Sequence, residues 1–144
     1  MAVLTERASS FKIENAIDAV VLTSSDTDGS TIDTQEFNTV FFAVNVGANG
    51  GTLDGSNYVE FTLQDSSDGS TWADVDDSTE AGGTTISGTG VWATVDAGGE
   101  AESTYKIAYT GTERYVRLQA DITGTISLPV GAVAVLGDGL CPQS

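Results

Sequence analysis

The sequence predicts an all-β protein: a single antiparallel β-sandwich or jelly-roll-like domain of about seven to nine short strands, with an N-terminal arm. Three observations predict this. Apolar and β-branched residues alternate with polar ones along several runs, the period of a strand with one buried face. Between those runs lie Asp, Ser and many of the 17 glycines, which is turn chemistry. No run carries a helical spacing of apolar residues over the length a helix needs.

The first ten or so residues lack any period, and residues 1–15 are expected to form the arm, with the sandwich over 16–140 and a short tail over 141–144. Ala16–Leu22 is the first strand candidate. The strongest is EFNTVFFAVNVG, residues 36–47, where Val40, Phe42, Val44 and Val46 share one face and Phe41, Ala43 and Asn45 the other. Both faces are largely apolar, which predicts a central strand covered on two sides. Tyr58–Asp65 alternates cleanly, Val59, Phe61 and Leu63 against Glu60, Thr62 and Gln64. A strand over 71–76 follows, then a Gly- and Thr-rich loop or weak edge over 82–90. VWATV (91–95) and STYKIAYT (103–110) are next, the latter with Tyr105, Ile107 and Tyr109 in phase. In ERYVRLQADI (113–122), Val116, Leu118, Ala120 and Ile122 point inward and Arg117, Gln119 and Asp121 outward. The last run is ISLPVGAVAVLG (126–137), whose Pro129 cannot donate to a ladder and so marks an edge, a bulge or a break.

Composition excludes several functions. There are 21 acidic and five basic residues, a net charge of −16. From Ile13 to Tyr105 there are 17 acids and no Lys or Arg. Such a surface repels phosphate, so no nucleic-acid partner is expected. No apolar run approaches the length of a membrane-spanning helix, so no membrane partner is expected either. The opening MAVLTERASSF, with Glu6 and no apolar core, does not read as a Sec-type signal. The single cysteine, Cys141, has no internal partner. With no histidine in the chain, Ser-His and Cys-His catalysis and His-ligated metals are excluded.

Two acidic segments invite a chemical reading. DSSDGSTW (65–72) resembles an Asp-box, but Gly69 follows Asp68 one residue too soon. It reads as a β-hairpin turn at Asp68-Gly69, with Trp72 returning onto the sheet. SSDTDGSTIDTQE (24–36) puts Asp26, Asp28 and Gly29 at EF-hand positions, but Ile32 and Glu36 each fall one residue late. A calcium site from Asp26, Asp28 and Asp33 is the metal candidate here, a solvated acidic turn the default, and no cofactor is expected. A glycosidase-type carboxylate pair has no specificity among so many acids. Tyr58, Tyr105, Tyr109, Tyr115, Trp72 and Trp92 are candidates for a sugar-stacking platform or, more simply, core-edge aromatics. No enzyme is expected.

The order of segments carries more than any one of them. It runs STIDTQEFNTVFFAVNVGA (30–48), VEFTLQDSSDGSTWADVDD (59–77), TYKIAYTGTERYVRLQADITG (104–124) and VGAVAVLGDG (130–139). Two landmarks stand out: Gln64-x-Ser66-x-Asp68-Gly69-x-x-Trp72, and Tyr109-x-Gly111-x-x-Arg114-Tyr115-Val116-Arg117. In this order they resemble the small head proteins of tailed bacteriophages that act as capsid cement or decoration proteins. The resemblance spans about residues 30–139; residues 1–29 depart from it.

The resemblance implies a β-sandwich on the outer surface of an icosahedral virion, partnered with the major capsid protein and clamping neighbouring subunits. It implies a homo-oligomer on the shell, a trimer or dimer. Arg7, Phe11, Lys12, Lys106, Arg114 and Arg117 are then the candidates for the capsid-facing side, with the arm 1–15 flexible or capsid-binding. A carbohydrate-binding or adhesin module and a tail or neck structural protein are the alternatives.

Overall fold

The computed structural model describes residues 10–139. Its strands are β1 (Lys12–Leu22), β2 (Thr27–Asp28), β3 (Ile32–Asp33), β4 (Phe37–Val46) and β5 (Tyr58–Ser66). They continue with β6 (Ala73–Asp74), β7 (Val91–Val95), β8 (Ser103–Tyr109), β9 (Tyr115–Thr123) and β10 (Leu128–Gly139). All pairings are antiparallel. One sheet runs β1-β10-β4-β8; the other runs β2-β9-β5-β6, with β3 also along β9 and β7 along β5.

β2 and β3 are therefore one interrupted edge strand, and β6 and β7 another. In chain order the eight positions are then β1, β2/β3, β4, β5, β6/β7, β8, β9 and β10. One sheet reads first, eighth, third, sixth; the other reads second, seventh, fourth, fifth. Every connection but β5 to β6 crosses between sheets. That is the arrangement of a two-sheet jelly roll, and the predicted all-β sandwich is what forms.

The pleat explains the core. Val40, Phe42, Val44 and Val46 of β4 face Val59, Phe61 and Leu63 of β5 and Val116, Leu118 and Ala120 of β9 across the gap, all buried. Phe42, Phe61, Leu63, Leu118, Leu128 and Leu136 are fully enclosed. Each such side chain contributes about 1.5–3 kcal/mol by leaving water. The break between β2 and β3 is pinned to both sheets. The Gly29 N–H donates to the Leu118 carbonyl at 2.7 Å, and the Ser30 N–H to the Ala16 carbonyl at 2.8 Å. A Cβ at Gly29 would collide with both carbonyl oxygens.

The structure corrects four expectations. Residues 12–15 of the expected arm belong to β1, because Ile13 and Asn15 pair with Val135 and Val133. Pro129 lies in a central strand, between Val21 of β1 and the β4 end, rather than at an edge or break. The strand tolerates it because the missing donor falls at its second residue, and its carbonyl still accepts the Gly47 N–H at 2.8 Å. The strand expected over 71–76 shrinks to Ala73–Asp74. Finally, β4 is central but covered on one side only: Phe41 and Ala43 are half-buried and Asn45 is exposed. Residues 1–9 and 140–144, with Arg7 and Cys141, lie outside the described residues.

Candidate interaction surface

DSSDGSTW is the β5–β6 hairpin. Gly69 has φ of 74°, a conformation that favours glycine. The Asp68 carboxylate accepts the Ser70 and Thr71 N–H groups, each at 2.8 Å, and the Ser66 hydroxyl at 3.0 Å. Those backbone donors hold its carboxyl below the ordinary aspartate value. Gly69 lies 3.5 Å from the Tyr115 ring, measured from where its Cβ would be. The turn thus packs directly on β9.

The second landmark closes on the first. The Arg117 guanidinium stacks 4.5 Å from the Trp72 ring centre, donates to Gln64 at 2.9 Å and pairs with Asp28 at 3.5 Å. Arg114 grips Asp33 with two hydrogen bonds, at 3.1 and 2.9 Å, and lies 5.0 Å from the Tyr115 ring centre. The Tyr109 hydroxyl crosses the sandwich to donate to buried Asp65 at 2.8 Å, and accepts the Glu113 N–H at 3.1 Å. Burial, then the Asp65 carboxylate, push the Tyr109 hydroxyl well above the ordinary tyrosine value, so it stays a donor. Gly111 sits against that ring, where a Cβ would overlap it. The landmark residues are one contact network tying β8, β9 and the hairpin together.

The expected site residues divide between faces. Arg114 and Arg117 lie on the outer side of the β9 sheet, each committed to an aspartate of its own chain. Lys12 pairs with Glu14. Phe11 and Lys106 lie on the outer side of the other sheet. The structure therefore does not gather the expected capsid-facing residues on one surface. Of the calcium candidates, Asp28 and Asp33 are held by Arg117 and Arg114, and Asp26 accepts the Ile122 N–H at 2.7 Å. Among the described residues no three carboxylates or thiols converge as metal ligands. The aromatics are dispersed: Tyr109 is buried, Trp92 packs 6.1 Å from Phe61, and the Tyr105 hydroxyl donates to the Glu100 carbonyl at 2.7 Å.

The two outer faces differ in chemistry. The β9 sheet's outer face carries Asp28, Asp33, Glu60, Asp74 and Asp121. Burial, with Asp26, Glu60 and Asp74 nearby, pushes the Asp121 carboxyl above its ordinary value. Across the β1-β10-β4-β8 sheet, the outward rows run Ile13–Val135–Phe41–Ala108 and Asn15–Val133–Ala43–Lys106. Gly131–Asn45–Thr104 and Val21–Pro129 complete them. These rows hold no Asp or Glu. Two adjoining depressions in this face share Ala19, Asn45 and Gly131. Its signal was present in the sequence as the second apolar side of β4 and the unbroken VGAVAVLG of β10, which periodicity alone reads as burial.

No family model matches this chain, and no curated protein does. Among solved structures, the SPBc2 prophage-derived protein YomS is similar at 8% identity and a TM-score of 0.45, covering 96% of this chain and 100% of its own. A structure from Bacillus endospore appendages, described as disulfide-linked pili, is similar at 9% and 0.43, covering 95% of this chain and 97% of its own. A chain of infectious bursal disease virus, Gx strain, is similar at 10% and 0.48, covering 88% of this chain and 31% of its own. Likenesses at that level say nothing of what this chain binds.

Proposed function

We propose that this chain is a non-catalytic structural protein of a tailed-phage virion, binding the outer surface of the icosahedral shell and cementing neighbouring capsid subunits. The observation that carries the reading is that the two sequence landmarks meet in one contact network. Asp68, Gly69 and Trp72 from one landmark meet Tyr115 and Arg117 from the other. The residues that resemble small phage head proteins are thus those that fix the hairpin on β9 and, through Tyr109 and Asp65, tie one sheet to the other. The prophage and viral sources of two structural neighbours accord with the reading, and none of it rests on them.

Cementing needs no chemistry. A ligand that binds only the assembled lattice stabilises it by mass action, and contacts spanning several subunits add avidity. Copies group as trimers or dimers where lattice symmetry brings them together. The acid-bearing face keeps a densely coated particle soluble through mutual repulsion. The test is the ratio of this chain to the major capsid protein in purified virions of the parent phage. A simple fraction of the shell subunits is expected. A handful of copies would move the protein to the tail or neck, and its absence would end the virion reading.

A further inference from the structure

We infer that the outer face of the β1-β10-β4-β8 sheet is the docking face, and that its occupant is an apolar patch of a shell protein bearing a carboxylate that pairs with Lys106. The inference rests on the virion reading and names the surface that reading requires. All the exposed large apolar side chains among the described residues, Phe11, Ile13, Val20, Val21 and Val133, lie on β1, just before it, or on β10. Ile13 is 68% exposed and Val21 51%, so these are not residues caught at a core margin. A contiguous exposed apolar surface of this kind marks an interaction site when polar residues surround it.

Charge completes the case. Among the described residues Lys12, Arg114 and Arg117 are paired with Glu14, Asp33 and Asp28, and Lys106 alone among the Lys and Arg has no ion pair. It stands in the row of Asn15, Val133 and Ala43, where no acid faces it. Asp18, on the bulged edge strand, is taken by the Asn15 amide. Among the described residues, the one Lys or Arg without an ion pair thus stands in rows that hold no acid, in a chain with a net charge of −16. Complementary charge at such a position sets partner choice and register more than raw affinity. The depressions over Gly131 and Asn45 extend along the strands from Pro129 to Val133, about 14 Å of ladder, and take projecting apolar side chains. A second copy fits poorly. It would bring its own Lys106 and no facing carboxylate, and would set two strongly acidic chains together.

The test uses the full chain and shells of the parent phage assembled without it, with binding read by co-sedimentation. Val133→Asp puts charge on the face, Lys106→Glu reverses its cation, and Gly131→Val fills the depression. At Gly131 a Cβ meets only ordinary contact, 3.6 Å from Ala19, so this variant keeps a foldable probe if Val133→Asp does not fold. Gln119→Glu, on the opposite face, is the control. Each face variant is expected to weaken binding at least about tenfold with its melting temperature kept, and the control to bind like the wild type. Wild-type binding that all three face variants share would overturn the docking inference and leave the virion reading standing. A wild-type chain that does not bind shells would overturn both. Sedimentation showing a wild-type dimer that Val133→Asp dissolves would make a second copy the occupant and overturn the inference.

Discussion

Asp65 falls in phase with Val59, Phe61 and Leu63, so the pleat of β5 carries a carboxylate onto the core side, where it needs a donor to be tolerated. Tyr109 supplies it from the other sheet. Removing that donor in Tyr109→Phe should cost about 1–3 kcal/mol, because Asp65 is left buried and unpaired. Urea unfolding checks this, and a Tyr109→Phe, Asp65→Leu double variant should recover much of the loss; strict additivity would show that the two groups do not act as a pair. The alternation in β5 placed Asp65 on the apolar side, but nothing local named its partner 44 residues away. Arg114 and Arg117 show the converse. The position of Arg117 on the outer side of β9 was legible from period two, whereas Arg114, just before β9 and in phase with the inward residues, reaches the outer side only in the folded chain. That each is bound to an aspartate of its own chain was not legible, because Asp33 and Asp28 come from a strand paired only after folding.

At the scale of elements, the break between β2 and β3 in the edge strand is tightly constrained. Gly29 is held between Leu118 of one sheet and Ala16 of the other, with no room for a side chain. Gly29→Ala should therefore destabilise by about 1–3 kcal/mol through displacement of the two edge strands. Chemical denaturation measures it, and a change within about 0.5 kcal/mol would mean that the β2–β3 break is slack. Local turn chemistry announced the Asp68-Gly69 hairpin because everything that makes it lies within a few residues. Gly29 gave no comparable signal. Its need for glycine comes from two carbonyls remote in sequence, not from a positive φ.

For the whole molecule, the excess of negative charge sets how stability responds to pH. Asp33 and Asp68 have carboxyls held below the ordinary value of 3.8, the first by Arg114 and the second by backbone N–H groups. Their stabilisation is complete above that value and is lost as pH falls through their lower folded pKa. Glu80 and Asp121 are shifted the other way, chiefly by burial. The folded chain binds their protons more tightly than the unfolded chain, so protonating them as pH falls from neutral adds stability. The melting temperature at low ionic strength should rise from about pH 7 to about pH 5, then fall below about pH 3.5. Calorimetry across that range tests it; a steady decline from pH 7 would remove Glu80 and Asp121 from the account. Added salt at neutral pH should raise the melting temperature by screening like charges.

Alone, the sequence determined most of the long strands, which side of β5 and β9 faces inward, where the hairpin turns and how strongly acidic the chain is. Each of these follows from near neighbours: the side-chain period of a strand, the φ a turn demands, and a count of charges. Only the tertiary structure decided which sheet each strand joins, that Tyr109 ties Asp65, and that the acid-free rows of β1, β10, β4 and β8 come together on one uncovered face. Those facts depend on crossings between sheets and on pairings between residues far apart in the chain. Period two specifies a side; it does not say what lies against it.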